Sequence, residues 1–562
     1  MTALIAVCLD IAGLSYDQCL LALAIQGLSN RKGPRVFLKT GSLFWQNRRA
    51  DEWWLDYYRR RKRIDFRAVK TLDELLAGSL GEFRGVALFD PSLDATRYIA
   101  LTLCGLEGLL PASPELMERH PMLKRLPVVY DLRLRWQSNA EAYEWAVENL
   151  LPRTDRKACF SAGRSHNGKN LGADPSVVLG LDYVIMRGGF VFNLSPAAER
   201  ASIYGRLIPG YPEDARLFDK IMKGLDSPAA VYGWAEPEGH FARRVSKWGN
   251  FIMCACAPNL SFHAKVPARR RFRYKWGHRS PKDVKLERKY YVAFLTNEGD
   301  TPKIAVSLMG GAWLAEWRGK VPVNWGLNPL IAVEFPAIFE MYQETATEKD
   351  YFFGGVSGAG YCYLDLLPSV KPFAEHTRRC LEVSDVRVFD VWTATDPRKG
   401  IEEFAGIVKP LGLTHNPVGE AKLEFASGEV PVVYPDGVAF YFRAKSPKEL
   451  AERIEEVALK HPPPFFIEVY GGLGAGSWMD FEKVSLLLDP ERFKVVRLDE
   501  MMALARLAGR AVLRFSRPPA TVFGRPAWVG GWRMKAVVEL RASAGEPLPP
   551  GEVRVLLPQG WR

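Results

Sequence analysis

Histidine and cysteine are both scarce, eight of each in 562 residues, and their spacing excludes more chemistry than their number does. The cysteines, at positions 8, 19, 104, 159, 254, 256, 362 and 380, form no C-x-x-C pair and no disulfide framework, so buried thiols are expected. The histidines, at 120, 166, 240, 263, 278, 376, 415 and 461, offer no close i, i+4 pair and no H-E-x-x-H, which leaves a metal site without support. Cofactor motifs are wanting too. Gly471-Gly472-Leu473-Gly474-Ala475-Gly476 follows a predicted strand but lacks the Lys-Ser/Thr that completes a phosphate loop, so no nucleotide or other cofactor is expected. Ser357 lacks a nucleophile elbow, because Ala359 stands where G-x-S-x-G requires glycine. Long apolar runs are missing as well: the opening MTALIAVCLDIAGLSYDQCLLALAI is broken by Asp10 and carries no basic leader. Neither a signal nor a spanning helix is expected from it, which favours the cytoplasm unless the chain has been trimmed. No internal repeat or low-complexity segment is found.

What is present is an ordinary globular composition, 48% hydrophobic, 12% aromatic and 25% charged, in a chain long enough for roughly three or four domains. Lys and Arg exceed Asp and Glu by 76 to 64, but the excess is scattered, with local runs at Arg59-Arg60-Arg61-Lys62-Arg63 and Arg269-Arg270-Arg271. These read as a solvated basic face. No nucleic-acid module accompanies them, and neither nucleic acid nor a membrane is expected as partner. The oligomeric state stays open.

Up to residue 265, short apolar strands such as PRVFLKTG, GVALFDPS, LPVVYDLR and LDYVIMRGGFVFNLSP alternate with helices. Small α/β units over 1–75, 76–150 and 151–265 fit that pattern. Residues 266–288 are basic and aperiodic and read as a linker or solvated crossover. From 289 to 512 the strands YYVAFLTN, VPVNW, YFFGGV, VRVFDVWT, VAFYFRA, PFFIEVYG and FKVVRLDE alternate with helices such as SPKELAERIEEVALK, where Ser446 and Glu449 form a capping box. Such repetition predicts a parallel sheet or a (β/α) barrel. After 512, two alternating strands around a Gly/Pro turn look like the start of a β-sandwich module.

In a barrel the residues at the carboxyl ends of strands face the substrate. Those ends supply Glu298 and Asp300, then Asp390 and Glu468, as candidate catalytic carboxylates, and Trp325, Asn328 and the loop from Ser357 to Tyr363 as candidate binding groups. Paired carboxylates can work on a glycosidic bond when one is kept protonated and the other ionised. Each of these carboxylates also fits an acidic turn that binds backbone N–H groups. The loop YFFGGVSGAGYCYLDLLP combines glycines that allow close approach with tyrosine rings suited to sugars, although a turn packed into the core fits it too.

The segment SGAGYCYL resembles the signature of the GxGYxYP family of glycoside hydrolases, with Gly358, Gly360, Tyr361 and Tyr363 in place and Leu364 where the family has proline. The resemblance continues in family order through NEGDT, PVNWGLNPL and ETATEKDYFFGGV, and upstream through LAIQGLSNRKGPRVFL, DYVIMRGGFVFNLSP and VYGWAEPEGHFARRVSKWGNF. It implies small amino-terminal α/β domains before a barrel-like domain of glycoside hydrolase or deacetylase type. Within the family's S-D-G-D-N motif, Glu298 stands for the first Asp, Asp300 is kept and Thr301 replaces Asn. Glutamate adds one methylene of reach there. The tail VRVLLPQGW is similar to a strand of Ig-like modules appended to carbohydrate enzymes. The expectation is a glycosidase acting on a poly- or oligosaccharide, betting on Asp300 first, then Glu298, Asp390 and Glu468. Trp325, Tyr361 and Tyr363 would form a stacking floor, with Asn328 and Ser357 binding hydroxyls. A non-catalytic carbohydrate-binding protein on a degenerate barrel is the alternative, and a deacetylase lies further off.

Overall fold

The computed structural model describes residues 4–44, 46–163, 174–203, 206–254, 257–296, 301–415, 421–436, 444–471 and 480–509, with short strands at 513–515, 521–522, 525–526 and 538–540 beyond them. Three small parallel sheets come first. Strands β1 (Leu4–Asp10), β2 (Val36–Lys39) and β3 (Ile64–Val69) lie in the order β2-β1-β3. β4 (Gly85–Leu88), β5 (Leu109–Ala112) and β6 (Val128–Asp131) lie as β5-β4-β6. The third sheet has β7 (Ala158–Ser161), β8 (Phe190–Phe192), β11 (Ala230–Gly233) and β12 (Phe251–Cys254) in the order β12-β11-β7-β8, and a separate hairpin pairs β9 (Ala201–Ile203) with β10 (Arg206–Ile208).

One expected strand is a helix. Within LDYVIMRGGFVFNLSP, residues Leu181–Arg187 are helical and only Phe190–Phe192 is strand. Gly188, at φ 77°, ends the helix in the left-handed conformation. The helix is buried, and helix Tyr16–Ser29 approaches it so closely that a Cβ on Gly27 would meet the Asp182 carbonyl oxygen at 2.4 Å. An element buried this fully has no polar stripe to reveal its period.

The carboxyl-terminal region contains β13 (Tyr290–Thr296), β14 (Val323–Gly326), β15 (Asp350–Phe353), β16 (Val388–Val391), β17 (Gly412–His415), β18 (Lys422–Ala426), β19 (Val430–Tyr434), β20 (Phe465–Gly471) and β21 (Phe493–Val495). β15-β14-β13-β20 run parallel, and β21 pairs with the amino half of β13 while β14 takes its carboxyl end. β16-β17-β19 are parallel, with β18 antiparallel along β19. Gly354 joins the two sheets, donating to the Val388 carbonyl at 2.9 Å and accepting from the Asp390 N–H at 2.8 Å. β17, β18 and β19 have no counterpart among the expected strands, and VAFYFRA lies, apart from Ala444, outside the described residues. So does most of the expected Ig-like module, of which β22 (Leu513–Phe515) with β25 (Val538–Leu540), and β23 (Thr521–Val522) with β24 (Arg525–Pro526), are described as antiparallel pairs. Helix Pro447–Lys460 starts as expected at Ser446, whose hydroxyl accepts from Glu449 N–H at 3.2 Å, but the Glu449 carboxylate reaches back one residue further, to Lys445 N–H at 2.7 Å.

Residues 266–288, expected as a linker or solvated crossover, are mostly exposed but anchored at a few points. Phe272 and Tyr274 are buried, Tyr274 donates to the Asp350 carbonyl, and Arg279 N–H donates to Asp499 at 2.7 Å, so the segment is strapped across the carboxyl-terminal domain. The basic runs are likewise partly neutralised: Arg61 pairs with Glu344 at 3.2 Å, Lys62 with Glu340, and Arg269 with both. The seven cysteines described are all buried. Among the described residues no helix is long and apolar enough to cross a membrane.

Candidate functional site

The loop after β15 wraps the carboxyl end of β16. Ser357 N–H donates to the Asp390 carbonyl at 2.6 Å, Ser357 Oγ accepts from Trp392 N–H at 2.9 Å, and Leu364 N–H donates to the Trp392 carbonyl at 3.0 Å. Ser357 adopts φ 60°, a left-handed conformation that costs free energy and is retained here because both of its polar backbone and side-chain groups are used. Asp365 finishes the wrap, accepting from Ala394 N–H and Thr395 N–H at 2.8 Å each and from Asp396 N–H at 3.1 Å. Burial pushes the Asp365 carboxyl up, but these donors prevail and hold it below the usual range.

The glycines serve packing, Gly360 against the third amino-terminal sheet and Gly358 against helix Lys371–Ser384. A Cβ on Gly360, at φ 138°, would stand 2.1 Å from Phe251, and one on Gly358 would stand 2.8 Å from Thr377 Oγ1. Tyr361 exchanges two backbone hydrogen bonds with Ile252 of β12, at 2.8 and 3.0 Å, so the loop stitches that sheet to the carboxyl-terminal one. The loop is therefore a buried clasp, with Tyr361 3% exposed, and Tyr363 half-buried at its end.

What the clasp holds is Asp390. Its side chain is fully buried; Oδ2 accepts from the Trp392 indole N–H at 2.7 Å and Oδ1 from the Thr414 hydroxyl at 3.0 Å. Glu468 sits on β20 opposite Ala293 of β13, is also buried, and neither carboxyl oxygen has a hydrogen-bond partner among the described residues. Burial pushes the Glu468 carboxyl well above the usual range and the negative charge of Asp390 pushes it further. One carboxyl group is thus held protonated near a second that receives two neutral donors, the division of labour an acid and base pair needs.

Other expected residues are placed differently. Trp325 is no stacking floor: it is fully buried, donates its indole N–H to Asp350 at 2.8 Å, and packs between Trp313 and Trp317. Asn328 closes a local turn, accepting from Leu330 N–H at 2.9 Å. Ser357 and the two glycines build the clasp. Glu298 and Asp300 lie outside the described residues. Thr414, His415, Trp392 and Thr393 join Asp390 although they were not expected; the His415 Nε2 lies 3.3 Å from the Thr393 hydroxyl and its ring 4.9 Å from that of Tyr434. The polar T-H ending of an apolar strand was the signal for β17, and it is a short one. A groove of about 540 Å³ lined by Lys289, Lys320, Glu482 and Lys494 lies elsewhere, at the amino ends of β13, β14 and β21, the end of parallel strands that serves stability.

These features define a multidomain α/β protein with parallel sheets and two buried carboxylates, Asp390 near the carboxyl end of β16 and Glu468 in the middle of β20. The "GxGYxYP putative glycoside hydrolase C-terminal domain" matches residues 288–506, the "GxGYxYP_N second domain" residues 83–154 and the "GxGYxYP third domain" residues 176–265. Together they cover well over half of the sequence, and the chain belongs to the GxGYxYP family. Among solved structures, a "putative hydrolase" from Bacteroides thetaiotaomicron VPI-5482 is similar in fold, with TM-score 0.72 at 17% identity over 90% of this chain and 95% of that one. A mutant of BA3943, a CE4 family pseudoenzyme with restored activity, matches at TM-score 0.24 and 11% identity over 40% of this chain and 74% of that one, too slight a likeness to bear on the fold. Comparison with curated proteins finds no match.

Proposed function

We propose that the protein is a glycoside hydrolase in which Glu468 is the general acid and Asp390 the base or nucleophile, acting on a poly- or oligosaccharide. The observation that carries this reading is the buried Glu468 carboxyl, left without a hydrogen-bond partner among the described residues and kept protonated beside Asp390. A buried group that destabilises the fold in its charged form persists where function uses it. Family membership supports carbohydrate as the substrate class.

We further infer that the carboxyl-terminal sheet curls into a barrel. β20 and β16 are separated by β13, β14 and β15, four strand spacings or about 19 Å in a flat sheet. At that distance Asp390 would bear little on Glu468; its effect on the Glu468 carboxyl supports a sheet rolled so that both side chains face one interior. The reading retains amino-terminal units ending near residues 75, 150 and 265, and Glu298 and Asp300 as candidates on sequence alone. Burial of both carboxylates also favours a second reading, non-catalytic glycan binding on a closed barrel. Hydrolysis screens across a glycan library, with Asp390→Asn and Glu468→Gln as controls, separate the two: a hydrolase loses turnover in both variants, whereas a binder shows none to lose.

A further inference from the structure

The third amino-terminal unit meets the carboxyl-terminal sheet beside Asp390 in a cluster that the clasp alone does not require. Helix Glu238–Lys247 brings Glu238 to the Tyr361 hydroxyl, which donates to its Oε1 at 3.1 Å and lies 3.2 Å from the Tyr363 hydroxyl. The Tyr361 ring stands edge-on to Tyr363 and to Trp392, with centroids 5.8 Å apart in both pairs. Arg243, from the same helix, lies over Tyr363 at 5.9 Å. Tyr363 and Trp392 are half-buried and Glu238 and Arg243 exposed, so this cluster opens to solvent while Tyr361 behind it is sealed.

Trp392 belongs to both places. Its indole N–H donates to Asp390 while its ring faces Tyr361. We propose that this seam is a binding subsite for one uncharged pyranose unit of a glycan chain, adjoining the carboxylates, with half of its polar groups supplied by the third amino-terminal unit. Aromatic faces with polar tips match the alternating C–H and O–H surface of a pyranose, a carboxylate and a tyrosine hydroxyl accept and donate to its hydroxyl groups, and Arg243 adds fixed donors. The clasp through Ile252 and Tyr361 holds the two halves in register, so the subsite is preorganised. This inference rests on the carbohydrate reading of the preceding subsection and adds the position and the second contributing domain.

The test uses the full chain carrying Glu468→Gln, to prevent turnover, and isothermal titration with cellohexaose, mannohexaose, xylohexaose, maltohexaose and chitohexaose. At least one of these binds, and adding Tyr363→Ala or Glu238→Gln weakens it about tenfold. Tyr363→Phe and Arg243→Lys, which keep packing and charge, give smaller losses, and all variants are checked for native melting. Unchanged Kd in all four natively melting variants, or no binding to any hexasaccharide, overturns the proposal. Weakened binding in the seam variants with no hydrolysis by the wild-type chain sustains the subsite and overturns the hydrolase reading; hydrolysis lost in Asp390→Asn with binding unmoved by the seam variants does the reverse.

Discussion

At the scale of single residues, Glu468 sets stability against function. Its carboxyl group is raised well above the unfolded value by burial and by Asp390, so the folded state keeps a proton that the unfolded chain gives up above its ordinary carboxylate pKa. Its contribution to stability is therefore full at low pH and is lost as pH rises towards its folded pKa. Glu468→Gln removes that penalty at neutral pH, and thermal melting of the variant is expected to rise by roughly 2 °C or more while turnover disappears. Gly360 is the opposite case. With a Cβ placed 2.1 Å from Phe251 and φ at 138°, Gly360→Ala is expected to cost about 2–4 kcal/mol in denaturant unfolding. Asp390 and Glu468 were legible as polar residues within apolar strands. Which of the two is protonated was not, because that depends on a neighbour 78 positions away in the chain. Trp325 misled for a physical reason: an aromatic at a strand end reads the same whether it faces a cleft or, as here, donates to a buried Asp350.

At the scale of elements, the signature loop holds β16 and seals the Tyr361 ring, leaving only Tyr363 half-buried at its end. Ser357, Leu364 and Asp365 fix both the strand end and the turn after it, from Asp390 to Asp396. Asp365→Ala leaves four donors of that turn without their acceptor and is expected to cost about 1–3 kcal/mol. Hydrogen exchange should quicken at residues 391–396 while β13 stays protected. The glycine spacing announced close approach, and close approach is present, but its object is Phe251 of another domain, which no local pattern can name. The same limit hid β17 to β19. β17 and β19 are short, and the intermediate burial of β18 leaves little alternation to read.

At the scale of the whole molecule, the domains are joined by buried polar contacts whose charge state ties assembly to pH. His376, stacked on Phe251 at 5.0 Å and bonded to the Ala359 carbonyl, is lowered to about 4 by burial, and His263, against Tyr58, to about 3. Each is neutral when folded, so its stabilisation is full above pH 6.5 and is lost as pH falls from 6.5 towards those values, by about 1.4 kcal/mol for each pH unit crossed. Asp182, raised to about 6 by burial, works in the opposite sense between pH 3.8 and 6. Melting temperature should therefore fall between pH 6.5 and 4, and His376→Gln should flatten that fall. The α/β character was legible because strand and helix periods repeat along the chain. The docking of Tyr361 on Ile252 was not, since the two lie 109 positions apart. The most direct test of the central claim is the pH profile of glycan turnover by the wild-type chain beside Asp390→Asn and Glu468→Gln. The expected result is a rate that declines on the basic side as Glu468 loses its proton, with both variants down by at least about a hundredfold. Turnover at the wild-type rate in either variant would contradict it.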